Sequence, residues 1–113
     1  MSQNKKSLID RFIWNLSNAI IHQILDKATQ NEEISLKYRK EINTSLDKSK
    51  TYRETINPKA SPLPQKDLDD IRNKITNKVK SELIKRISQG YKNIDLNLVE
   101  ELVNKVLKET KIS

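Results

Sequence analysis

A single glycine in 113 residues, Gly90, is the feature that most limits what this chain can become. Hairpin turns, strand bulges and phosphate-wrapping loops all draw on glycine's access to positive φ. With one such residue there are few tight turns, and few tight turns mean few strands. The architecture left is helical, and an apolar share of 35% suits the thin core of a small bundle.

Punctuation along the chain comes from proline instead. Pro58, Pro62 and Pro64 lie close together; each removes a backbone donor and biases its predecessor away from helix. They predict an extended linker over 57–66 between two helical halves, 7–56 and 67–108, with a polar tail at 1–6 and a frayed tail at 109–113. Each half is short of apolar residues for a core of its own, so the halves are expected to pack together as one domain over 1–113, or to swap between subunits. The expected fold is all-α: a small bundle of about four helices, two helical hairpins joined by the proline-containing linker.

Apolar periodicity places the four helices. In the first, Ser7 is the expected N-cap, with Asp10 three residues on, and Leu8, Ile9, Phe12, Ile13, Leu16, Ala19, Ile20 and Ile24 fill one broad face. Trp14, Ile21, Leu25 and Ala28 widen that face until only Arg11, Asn15, Asn18 and His22 form a polar stripe. Such a helix must be covered on most of its circumference. The second, from about Glu32, carries a narrow stripe of Ile34, Tyr38, Ile42, Leu46, Ser49, Tyr52 and Ile56. The third opens on Asp67, Asp69 and Asp70 and closes on Lys85 and Arg86, matching the helix dipole at both ends. Its core face is Leu68, Ile71, Ile75, Val79, Leu83 and Ile87, and Gly90 stands where a left-handed C′ residue would stop it. Asp95 or Asn97 caps the fourth helix, which buries Leu98, Val99, Leu102, Val103 and Val106.

Several chemistries are excluded on residue types. Cysteine is absent, removing disulfides, thiolate metal sites and thiol nucleophiles together. The one histidine, His22, has Asp26 four residues on and could share a hydrogen bond with it on one helix face, but no second ligand histidine and no serine in a strained elbow accompany it. Its plainer reading is a solvated or interfacial histidine. The acidic run at 67–70, and Glu100 with Glu101, sit where helix starts explain them without a cation. No catalytic residue, metal, cofactor or small-molecule substrate is therefore expected. Asp10, Arg11 and Asn15 interrupt the apolar run after Lys5 and Lys6 before it resembles a signal or a membrane span, so a cytoplasmic location is expected.

Charge is the remaining signal. The net charge is +7 and the isoelectric point is near 9.6, which favours polyanionic partners. A competing explanation is compositional. The chain has 17 lysines, 5 arginines, 11 asparagines and 14 isoleucines, the bias an AT-rich genome imposes regardless of role. The local pattern is more informative: residues 71–92 hold seven basic side chains against Glu82 alone, a local excess of +6. Lys74, Lys78 and Lys85 share a narrow arc, roughly opposite the apolar face, and Arg86 follows Lys85 in the chain. On the second helix, Lys37, Arg39 and Arg53 flank tyrosines, as basic residues beside aromatics do in proteins that bind single strands. Scarce arginine and the lack of a helix-turn-helix pattern argue against sequence-specific reading.

The sequence thus predicts a protein that binds and does not catalyse. Its favoured reading is a small accessory subunit of a larger, nucleoprotein-type assembly. It docks on a protein partner or a second copy through Trp14, Ile21 and Leu25, and contacts phosphates through Lys37, Arg39, Arg53, Lys74, Lys78, Lys85 and Arg86. Alternatives are a pure protein adaptor or homo-oligomer without nucleic acid, and, more weakly, attachment of the first helix to a membrane surface.

Overall fold

The apolar circumference of the first helix organises everything else in the structure, a computed structural model describing residues 5–56 and 64–109. Four helices form the expected all-α bundle: α1 (Lys5–Ala28), α2 (Glu32–Ile56), α3 (Gln65–Ser88) and α4 (Leu98–Glu109). The three long helices, each roughly 36 Å at 1.5 Å per residue, set the long axis of 42 Å against 25 and 24 Å across. No helix among the described residues is long and apolar enough to cross a membrane.

At the centre lies α1, which touches all three other helices, whereas α2 packs on α1 alone and α4 packs on α3 and α1. One core cluster joins Phe12, Leu16, Ile20 and Ile24 of α1 to Ile71, Ile75, Val79 and Leu83 of α3 and Val99, Val103, Val106 and Leu107 of α4. The contribution of α2 is thinner. Among its described residues only Ile42, Ser49 and Arg53 are buried, while Tyr38, Leu46, Tyr52 and Ile56 lean on the core partly covered. Ile34, the first member of the predicted stripe, is exposed.

Short-range polar bonds shape the α1–α2 hairpin. The Asn31 side chain accepts from the Ile34 N–H at 3.2 Å and its carbonyl accepts from Ser35 N–H at 2.9 Å, an N-cap that starts α2. Across the hairpin, Asp26 accepts from the Ser35 hydroxyl and pairs with Arg39 at 3.4 Å. The His22–Asp26 bond conceived on one helix face does not form, because Asp26 is taken by these two partners on α2.

Helix ends shift the expected boundaries. Ser7 is not a cap: α1 already runs from Lys5, since lysines readily continue a helix and nothing at 5–6 stops it. Residues 1–4 lie outside the described residues, as do 57–63, most of the predicted linker. Its end is shorter than expected, because Pro64 is the N-cap of α3. Only Asp67 therefore falls in the first turn. Asp69 instead accepts from Gln65 at 2.8 Å and pairs with Arg72 at 3.4 Å, and Asp70 pairs with Lys74 at 3.1 Å.

At the other end of α3 the Gly90 expectation holds. Gly90 has φ 101°; its N–H donates to Ile87 O at 3.0 Å, and the Tyr91 N–H donates to Arg86 O at 3.1 Å. These are the two bonds of a Schellman stop. Of the two caps considered for α4, Asp95 is the one that acts, its carboxylate accepting from the Asn97 N–H at 2.9 Å.

Two outcomes follow for stability. A Cβ at position 90 would meet no atom within 4 Å, so Gly90→Ala should lose about 1–2 kcal/mol from backbone conformation alone, read by chemical denaturation. Ser17 is fully buried and its hydroxyl has no hydrogen-bond partner among the described residues. Ser17→Ala removes that unsatisfied group at almost constant volume, so it should leave the midpoint unchanged or raise it, by up to about 1–3 kcal/mol.

Candidate functional site

The polar stripe of α1 is the part of its circumference that no helix fully covers, and a cleft opens there. Trp14, Asn18, Ile21 and His22 of α1 line it on one side, and Lys78, Ser81, Glu82, Lys85 and Arg86 of α3 on the other, around a volume of about 370 Å³. Three cations and one carboxylate share the α3 wall of this space. At about 100° per residue, Lys74, Lys78 and Lys85 lie about 80–120° round the axis from the middle of the α3 core stripe, so their arc borders the stripe on its α1 side and is not opposite to it.

Each cation has a different setting. The Lys78 ammonium stands over the Trp14 ring, 3.8 Å from its centroid, a cation–π contact. Arg86 pairs with Glu82 at 3.3 Å, donates to the Tyr91 hydroxyl at 3.3 Å and stacks its guanidinium 5.4 Å from that ring's centroid. Lys85 is exposed. Neither Lys78 nor Lys85 has a carboxylate partner among the described residues.

His22 is the junction of three helices. Its Nε2 lies 3.2 Å from Glu41 of α2, its ring stacks on Tyr38 with centroids 5.6 Å apart, and its Nδ1 is buried without a partner among the described residues. Burial lowers its pKa from the ordinary 6.5; Glu41 opposes that shift and the positive Arg86 reinforces it. The His22–Tyr38 stack and the Arg86–Tyr91 bond together partition this cleft from a second one, of about 470 Å³, bordered by Leu25, Ala28, Ile34, Tyr38, Tyr91 and Lys92.

The predicted site residues separate into distinct groups. Of the docking trio, Trp14 is exposed at 56%, but Ile21 and Leu25 are 4% and 2% exposed. These two belong to the core, packed under α3 and the segment after it, so they present no docking face. Of the phosphate-contacting set, Lys78, Lys85 and Arg86 converge on the cleft. Lys74 lies on the same arc but is held by Asp70. Lys37 and Arg39 stand on α2, away from α3, and Arg39 is engaged by Asp26. Arg53, 4% exposed, is on the inner face of α2, where burial lowers its pKa; it is not positioned for a phosphate. Its place was readable from spacing, since Leu46, Ser49, Arg53 and Ile56 alternate at three and four. Asn18, His22 and Ser81 line the cleft without having been singled out as binding residues; the α1 polar stripe carried the signal for the first two. Among the described residues no three His, Asp or Glu side chains are grouped so as to hold a metal ion.

Comparison with protein-family models, with curated proteins and with solved structures finds no match to this chain.

The histidine offers a direct check on the geometry. As the only one in the chain, His22 should titrate by NMR below 6.5, and Glu41→Gln should lower it further by removing the charge that favours the imidazolium. The folded chain takes up this proton less readily than the unfolded chain. Stability from this group is therefore complete above about pH 6.5 and is lost as pH falls from there through the lowered folded value. His22→Gln should flatten that part of the pH–stability curve.

Proposed function

We propose that this protein is a non-catalytic helical binding module, a small subunit of an assembly containing nucleic acid, whose α1–α3 cleft contacts phosphates without reading sequence. The supporting observation is the contrast in ion pairing. Along 72–86 of α3, Arg72, Lys74, Lys80 and Arg86 each have a carboxylate partner, while Lys78 and Lys85 are on the rim of a concave surface with none among the described residues. Unneutralised cations on a concave wall concentrate positive potential where a polyanion can lie.

A second reading, docking on a protein partner or a second copy, draws on a different observation. Ile84 and Ile87, three residues apart on α3, are 55% and 41% exposed, an apolar step unlike the charged surface around it. It replaces the docking face expected on α1.

Fluorescence polarisation of labelled oligonucleotides across a salt series tests the phosphate reading. If Lys78 and Lys85 each release one counterion, log K against log salt should fall with a slope of about −1.4 on single strands. Lys85→Glu should weaken binding and make that slope shallower by about 0.7, while Ile84→Lys should leave both unchanged and abolish any self-association seen by light scattering. Absence of binding at low salt would remove the proposal.

A further inference from the structure

We infer that the α1–α3 cleft accepts an unpaired nucleotide, its base stacked on the Trp14 ring in place of the Lys78 ammonium and its phosphate held between Lys78 and Lys85. This rests on the phosphate-contacting reading above and adds the class of ligand. Trp14 is the first ground. A large aromatic ring, more than half exposed, lies at the side of a concave basic surface, and the end of a flexible lysine stands over one of its faces. That ammonium can swing on its flexible side chain from the ring to the phosphate on the far side of the nucleotide's sugar, vacating the face in the movement that binds the anion. Every base has a π-face, so the arrangement is tolerant of sequence.

The second ground is the shape and lining of the cleft. About 370 Å³ is at the small end of ligand-site volumes, room for one nucleotide and not for a duplex. In a duplex the base faces are covered by their neighbours, so Trp14 could reach only the backbone. The Asn18 amide and the Ser81 hydroxyl line the same space and offer donors and acceptors to a base edge, and Glu82, the one carboxylate there, is already held by Arg86. The unit could belong to a single strand or be a free nucleotide; the recognising chemistry is the same.

Trp14 is the only tryptophan in the chain, so tryptophan emission, excited beyond the tyrosine band, reports this site alone. The experiment titrates the full chain with octathymidylate, with the octathymidylate–octadeoxyadenylate duplex, with thymidine 5′-monophosphate and with inorganic polyphosphate, recording emission and, for labelled strands, polarisation. The expected result is saturable quenching by octathymidylate, weaker quenching by the duplex and none by polyphosphate. Trp14→Ala should weaken polarisation-measured binding about five- to 150-fold, and Trp14→Phe should restore most of it. Quenching by the monophosphate at the same concentrations as the octamer assigns the free nucleotide as the source; quenching by the octamer alone assigns the strand. Salt-dependent binding with unchanged Trp14 emission, or equal affinity for strand and duplex, overturns this inference and leaves the phosphate reading standing. No binding of any of the four overturns both.

Discussion

Covering α1 is the constraint on which the rest of the structure depends. A helix apolar around most of its circumference cannot face water on more than one narrow stripe, so α2, α3 and α4 are arranged around it and not as symmetric pairs. Three helices of this width leave one gap, and it falls along the polar stripe that contains Asn18 and His22. The cleft is thus a by-product of how α1 is covered, and Trp14 is exposed because it lies at the edge of that gap, while Ile21 and Leu25, on nearly the same side of the helix, fall under α3 and the segment after it.

Electrostatics then gives the gap its character. Within α3, Arg72, Lys74 and Arg86 are matched by carboxylates three or four residues away and Lys80 by Glu100 of α4, pairs that contribute little to stability but cancel the local field. Along the α3 rim of the cleft the matching is incomplete. Lys78 is turned onto an indole face, Lys85 faces solvent, and Arg86 is tied into a small network with Glu82 and Tyr91. His22 adds no charge at neutral pH because burial favours its neutral form. The cleft is therefore moderately positive and lined with aromatic and amide groups, a different surface from a row of lysines on an exposed helix.

The fold was largely legible because it rests on periodicity and punctuation. The four helices, the broad burial of α1 and the Gly90 stop follow from one-dimensional patterns that local sterics obey. The site was legible only in part. Lys78 and Lys85 could be grouped from one helix, since a wheel places them together with Lys74, whereas Arg86 lies about 100° round the axis from Lys85 and joins them only through the cleft. Whether Ile21 and Leu25 were surplus apolar surface or core depended on how far α3 reaches over α1, a tertiary fact that no wheel contains. Arg53 was misjudged for a related reason: charge suggested solvent, but the spacing of its own helix turns it inward. The pairing of His22 with Glu41 in place of Asp26 likewise required the register of the α1–α2 hairpin.

That hairpin ties α2 to the rest of the molecule through one helix. Because α2 rests on α1 alone among the described helices, the α1–α2 contact is what keeps Glu41 and Tyr38 beside His22. Losing that contact would carry both away from the imidazole and uncover a flank of α1 that has to stay covered. The second helix is in this sense a strap, buckled to the one helix around which the molecule is built.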